Sequence, residues 1–483
     1  NKVIPCSRIN NTLVSLTRDF TSTPTNAKKF TVSFWVRFNE VEGNQTIITN
    51  YGNNGSDVFA IQWRNDEGIG ILDYKSNGID SNLETDQSII DTTAWYHFVV
   101  IGDTTLSTAA DRVQLYINGE RVTVISSQTN PSQDSDFNWN KETGGTSVGH
   151  VIGMSGNSTN QFTGQLAHIH NVDGTAYAAT TFAETDSTTG IWKPILNPSV
   201  TYGNNGWFLK FENSGSMGTD SSGNSNNFTV AGDLKQSNST PHNKYPYLNG
   251  RMTHKDYDTK TYLLDGGKTF LGDSSTTRLN GIDMCFAGGK WYWEAKIESA
   301  SASSTLGVFL TDSTSAKRIY QSSSSGDLAL TSTSNGSNGA ISFLCNSSSL
   351  IQQGNSTTSY GTGISDDDII MFAFDATTGK VWTGRNGTWF NAPSTSNAGN
   401  PAAGTYDSGK TLTNNDNELY SFYIGGRASS GNKKVYTNFG DGFFGTTAVS
   451  SANADGNGHG IFEYAVPSGF LALCSKNIQS DGG

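Results

Sequence analysis

The residues that could do chemistry fall into a few short strings. Gly145-Thr146-Ser147-Val148-Gly149, with His150 directly after it, has the Gly-x-Ser-x-Gly spacing of a hydrolase nucleophile. Such an elbow raises its serine on a tight turn between a strand and a helix. Here Val151-Ile152-Gly153-Met154 follows and reads as strand, and a chain with 54 glycines produces the string by chance. The string is therefore read as a loop. His168 and His170 stand two apart, which in a strand puts both on one face, and Asp173 is close by. A transition metal wants three or four converging ligands. No further partner is visible, so the metal stays unassigned. Glu294 and Glu298 share a strand face with Lys296 between them, which a polar outer face explains, and Asp366-Asp367-Asp368 reads as the solvated start of a strand. Trp35, Trp63, Tyr74 and Tyr116 are candidates by alternation to stack on sugar rings. Against each stands the commoner use of a sheet aromatic, packing in the core. No catalytic and no cofactor-binding residue emerges.

These side chains are carried by extended chain. In Phe30–Phe38, Val32, Phe34, Val36 and Phe38 fall on one face and Ser33, Trp35 and Arg37 on the other, the pattern of a half-buried antiparallel strand. Val113–Ile117 alternates in the same way and meets Asn118-Gly119, the pair of positive-φ residues a tight hairpin turn needs. Trp95–Ile101 and Phe162–His170 add further strands. In the other half, Trp291, Trp293, Ala295 and Ile297 oppose Tyr292, Glu294, Lys296 and Glu298, and Ile369–Asp375 is nearly all apolar. Helix signals are almost absent, so the fold class is all-β: two tandem antiparallel β-sandwiches. Leu234–Gly250 is polar, holds Pro241 and Pro246 and has no periodicity. The expected division is residues 1–233, a linker over 234–250, and residues 251–483.

The totals narrow the function. Net charge is −12, and no basic run exceeds a pair such as Lys28-Lys29, so nucleic acid is not an expected partner. The longest apolar run, Ile369–Phe374, is far short of a membrane span. Cys6, Cys285, Cys345 and Cys474 lack the spacing of a zinc site or a disulfide scaffold and read as buried thiols. No secretory signal precedes the first strand, and a start at Asn1 rather than Met is expected of a processed or partial front.

Phe30–Phe38, Trp95–Phe98, Leu115–Gly119, Ile152-Gly153, Phe162–Gly164 and Leu166–Ile169 together resemble the laminin-G-like branch of the concanavalin A-like jelly rolls, over about residues 10–180. Gly289–Glu294, Gly307-Val308, Asp375, Asn386-Gly387, Asn438–Gly440 and Pro467–Phe470 resemble a SPRY domain over about 285–475. Glu184–Pro194, Tyr202–Phe211 and Asp220–Thr229 are similar to stretches in tail fibres and other structural proteins of marine bacteriophages. The first resemblance implies calcium bound through loop oxygens such as those of Asp57, Asp73, Asp103 and Asp111, with no spacing that locates it. Relatives that are glucanases set facing carboxylates roughly 5–10 Å apart. Their Glu-x-Asp-x-x-Glu run does not occur here, so the chain is expected not to be an enzyme. The third resemblance implies a structural protein on the surface of a virion (a tail fibre, appendage or capsid fibre). Its expected partners are other virion proteins, further copies of itself, and a host surface glycan or protein. A secreted or cell-surface carbohydrate-binding adhesin is the alternative.

Overall fold

The computed structural model describes residues 4–6, 14–39, 41, 43–52, 56–65, 68–76, 78–141, 148–187, 190–232, 234–249, 263–272, 278–299, 303–311, 339–345, 348–354, 356–414, 417–427 and 433–481. The chain divides into two compact units, Asn1–His242 and Asn243–Gly483.

The first unit is a sandwich of two antiparallel sheets. One runs in the order β1 (Ile4–Cys6), β13 (Gly164–Asp173), β3 (Lys29–Phe38), β8 (Tyr96–Asp103), β9 (Val113–Ile117) and β10 (Glu120–Arg121), with β16 (Trp207–Leu209) also on β13. The other runs β11 (Ile125–Thr129), β7 (Gly78–Thr85), β6 (Ile69–Lys75), β5 (Asp57–Trp63), β4 (Gln45–Gly52), β12 (Val148–Ile152), β2 (Ser15–Arg18) and β17 (Thr229–Ala231). Between them Val32, Phe34, Val36 and Phe38 of β3 meet Ile48, Phe59, Ile61, Trp63 and Ile71 in one core. Asn118 and Gly119 take φ of 50° and 87°, the turn that closes β9 onto β10.

The outer face of β3 departs from the half-buried expectation. Ser33, Trp35 and Arg37 are as buried as the core residues. The reason lies downstream. After β13 the chain doubles back over this sheet as a cover that includes the ribbon of β14 (Ala183–Thr185) and β15 (Trp192–Pro194), which pair antiparallel. Trp35 and Ala167 pack with Ala183, Trp95 and Trp192, and Val99 and Ile101 pack with Ala179 and Tyr116. Each large side chain so removed from water contributes about 1.5–3 kcal/mol. The opposite sheet keeps its outer face open around β4–β7.

The second unit repeats the plan with different strands. Its larger sheet runs β18 (Leu263–Leu264), β19 (Thr269–Gly272), β30 (Lys433–Asn438), β21 (Lys290–Ile297), β26 (Ile369–Asp375), β27 (Lys380–Arg385) and β28 (Thr388–Trp389), with β31 (Leu471–Ala472) parallel to β21. Its smaller sheet runs β20 (Arg278–Gly281), β29 (Tyr420–Arg427), β22 (Ser303–Leu310), β23 (Ala340–Cys345), β24 (Leu350–Gln353) and β25 (Ser356–Ser359). Trp291, Trp293, Phe372 and Phe374 meet Leu306, Phe343 and Phe422 in the core. Here too one outer face is roofed: Tyr292, Met371 and Trp382 lie under Phe462 and Phe470. The polar stretch 234–250 packs at both ends, Leu234 against the first core and Tyr245 and Leu248 within the clusters of the second unit.

Candidate functional site

The open face of the first unit carries the best candidate for contact with a ligand. Side chains directly opposite one another on paired strands share a face. Register sets Tyr51 of β4 opposite Val58 of β5, Val58 opposite Tyr74 of β6, and Tyr74 opposite Ile79 of β7. The four make one row across four strands. Tyr51 and Val58 are half-buried, whereas Tyr74 is 37% and Ile79 57% exposed. With one strand between them, the two tyrosines stand about 9–10 Å apart along the row. Tyr51 is seated rather than loose: a Cβ on Gly156 would fall 1.9 Å from its ring, so only glycine lets the ring lie there.

Farther along the same strands the face turns polar. Gln62, Asn82 and Ser127 are accessible, Asn82 donates to Ser127 Oγ at 3.3 Å, and Arg64 pairs with Glu84 at 2.7 Å. The Arg64 stem lies over Gly70. Beside the aromatic row Lys75 is neutralised by Asp80 at 2.6 Å. A row of rings and methyls next to hydroxyl-matching amides, with its charges already paired, suits an uncharged ligand that offers flat apolar faces and hydroxyl edges.

Of the four aromatic candidates, the structure brings Tyr74 to this site. Trp63 is a correction. It sits wholly in the core with Phe59 and Ile61, and its indole donates to Ile89 O at 3.2 Å, so no face is left for a sugar. Alternation along β5 already puts it on that inner side. Trp35 is the second correction: it does point to the outer face, but the cover buries it, stacked on His97 at 4.9 Å. Tyr116 is half-buried against Val99 and Ile101, with its hydroxyl donating to Gln114 Oε1 at 3.0 Å. Tyr51, Val58 and Ile79 were missed. The alternation of β4 and β5 (Phe59, Ile61 and Trp63 in, Val58 and Gln62 out) is the signal that could have found them.

A serine–histidine pair that sequence spacing hides lies under the cover. Ser33 Oγ is 2.8 Å from His97 Nε2. A general base would need an unprotonated Nε2. The Trp192 indole N–H donates to His97 Nδ1 at 3.1 Å, which makes Nδ1 the acceptor and leaves the proton on Nε2. Imidazole therefore donates to the serine, the reverse of nucleophile activation, and both groups are buried. The pair is a fastener. The same bond recurs where Trp207 donates to His150 Nδ1 at 2.9 Å, and His170 Nδ1 meets Tyr202 Oη at 2.9 Å. Burial pushes His97 and His168 down to about 3 and holds His150 and His170 well below the usual range.

His168 and His170 do not form a flat pair of ligands. The register slips between Ala167 and His170, with His168 at φ 46°, and the two rings pack against Phe208, His170 at 3.8 Å. Among the described residues no three His, Cys, Asp or Glu side chains gather into a metal site. The four aspartates do not converge: Asp103 pairs with Lys29, Asp111 with Arg121, Asp57 accepts from Ser76, and Asp73 is buried beneath Asn138. Gly145–Ser147 lie outside the described residues, and His150 after them belongs to a strand rather than a helix.

Glu294 is a third correction. It is fully buried rather than on a polar outer face, because the residues around Phe462 roof that side of β21. Its oxygens accept from Tyr292 Oη, the backbone N–H groups of Glu463 and Tyr464, and Asn438 Nδ2. Desolvation pushes its carboxyl up to about 7 against the pull of those donors.

Residues 11–175 match the family profile described as the concanavalin A-like lectin/glucanases superfamily, in its laminin G form. No curated protein sequence matches the chain. Among solved structures, a candidate carbohydrate-binding protein of Bacteroides ovatus is 14% identical over 47% of this chain and 60% of its own, with a TM-score of 0.31. This chain thus spans less than two thirds of that protein. Domains LG4-5 of the mouse laminin alpha1 chain are 7% identical over 96% of both chains, TM-score 0.29. The SPRY domain of human HERC1 is 14% identical over 35% of this chain and 87% of its own, TM-score 0.24.

Proposed function

We propose that this chain is a non-enzymatic recognition protein whose first sandwich grips a glycan on its open sheet face. The observation that carries the reading is the Tyr51–Val58–Tyr74–Ile79 row, open to solvent at Tyr74 and Ile79, beside accessible amide and hydroxyl groups. The profile match to a lectin and glucanase superfamily supports it. Binding is favoured over cleavage because the carboxylates described above sit apart or under cover, and the serine–histidine pair runs the wrong way for attack. In this reading the protein is carried on a tailed-phage particle, as a fibre or appendage among other virion proteins and further copies of itself, and meets a host surface glycan or protein. The support for that placement is the Glu184–Thr229 phrasing. A bacterial surface adhesin is the second reading, favoured by the same open face.

Two experiments test this. Purified chain is passed over immobilised host polysaccharide while reducing ends are assayed: retention without release supports recognition, and release of reducing ends overturns it. Immuno-gold labelling of purified particles tests the placement. Gold on the particle surface supports a virion role, and gold confined to cell envelopes moves the protein to the adhesin reading.

A further inference from the structure

Lys268 and Asp441 form an ion pair with side chains only 5% exposed on each side. Lys268 directly precedes β19 and Asp441 follows β30. Those strands are paired antiparallel, Thr269 opposite Tyr436, and Lys268 O accepts from both the N–H and the hydroxyl of Thr437 at 2.8 Å. The two side chains therefore leave neighbouring strand ends toward one spot. That spot is lined by rings: Lys268 Nζ lies 5.3 Å from the Phe443 ring centre and 5.8 Å from that of Tyr247. The turn holding Asp441 is fixed by Asn438 Oδ1, which accepts from the N–H groups of Gly440 and Gly442 at 2.9 and 3.1 Å. Asp441 Oδ2 receives no hydrogen bond from any hydroxyl or amide.

We infer that Lys268 and Asp441 become joined by an intramolecular amide bond that staples β19 to β30. In water an ammonium and a carboxylate stay charged and do not condense. In a dry aromatic setting the separated charges are costly, and passing one proton from Nζ to the carboxyl leaves a neutral amine beside a neutral acid. The amine lone pair then attacks Cγ of Asp441. A C–N bond forms, the C–OH bond breaks, and the hydroxyl leaves with the second amine proton as water. No oxidant or other co-reactant enters. Fixed approach of amine to carbon replaces the activation such a condensation otherwise needs. The product is an uncharged amide, which relieves the burial of two ions.

The test is the intact mass of the full chain under denaturing conditions. The expected mass is one water below that of the sequence, and digestion yields a branched peptide joining the Lys268 and Asp441 segments that survives hydroxylamine. Lys268→Arg is expected to restore the missing water, and Asp441→Asn to lose one ammonia instead. A mass equal to the sequence overturns the bond. So does a deficit that persists in Lys268→Arg and is cleaved by hydroxylamine at Asp441-Gly442, which marks a succinimide at that aspartyl–glycyl bond. Should either variant fail to fold, the branched peptide from the unaltered chain decides alone.

Discussion

Acid should loosen the first unit before the second, and by a calculable slope. Four histidines of the first unit (His97, His150, His168 and His170) are held neutral by burial, with pKa values pushed far below the usual 6.5. The unfolded chain takes up protons at these sites from pH 6.5 downward and the folded one does not. Their stabilising contribution is whole above pH 6.5 and is lost as pH falls toward the folded values. Each proton withheld costs about 1.4 kcal/mol per pH unit. Asp73 acts the other way: burial raises its carboxyl from 3.8 to about 6, so the folded state binds a proton first and gains stability as pH falls between those values. His97 and His168, at about 3, less the one gain of Asp73 leave a net loss of about 1.4 kcal/mol per pH unit between pH 6 and 4, and His150 and His170 add to it in the same direction. Against a domain stability of roughly 5–15 kcal/mol, that is a marked weakening of the first unit over two pH units. Hydrogen exchange on the intact chain, read separately for amides of β3 and β13 and for those of β21 and β26, gives an opening free energy for each unit at each pH. His168→Gln should lower the slope of the first unit by about 1.4 kcal/mol per pH unit. A first unit whose opening energy stays flat, or rises, between pH 6 and 4 would refute the neutral-fastener account of the cover.

The other outcomes follow from the same geometry. Tyr74→Ala and Tyr51→Ala should each weaken glycan retention by about tenfold, near 1.4 kcal/mol, while Tyr74→Ala leaves the melting temperature nearly unchanged; affinity electrophoresis with matched melts checks both. Trp35→Ala should do the opposite, costing about 3–5 kcal/mol in urea unfolding with no direct effect on retention by the folded protein. Gly156→Ala should displace the Tyr51 ring and cut retention without touching any ligand atom, visible as a shifted Tyr51 resonance. In the second unit the raised Glu294 carboxyl contributes stability that is whole below pH 4.5 and lost as pH rises through 7, so Glu294→Gln should flatten that dependence.

Strand positions were legible wherever a two-residue period ran for several residues, as in β3, β9, β21 and β26. Period says which side a residue takes. It does not say whether that side meets water. Ser33, Trp35, Arg37 and Glu294 were assigned to the correct face and the wrong environment, because chain from far along the sequence roofs them: Trp192 over Trp35, Phe462 over Tyr292. Trp63 was misplaced for a simpler reason, since its own strand's alternation already set it inward. The Tyr51–Ile79 row depends on register across four strands, with a bulge at Asp73–Tyr74, and no single segment encodes that. The phrasing of Tyr202–Phe211 and Asp220–Asn227 has a mechanical reason instead of a chemical one. Asn204, Asn205, Asn224 and Asn226 each donate to backbone carbonyls of neighbouring loops, and Asp220 gathers the N–H groups of Phe208, Ser222 and Asn226.

The roof over β3 bears on where this molecule can be cut. The superfamily match stops at residue 175, yet β14, β15, β16 and the Trp192, Tyr202 and Trp207 fasteners all lie past that point. A fragment trimmed at the recognised border would lose β16 and β17 from the two sheets and present Trp35, Ala167, Val99 and Ile101 to solvent as one sticky slab, so the smallest soluble piece must reach at least Ala231, the end of β17.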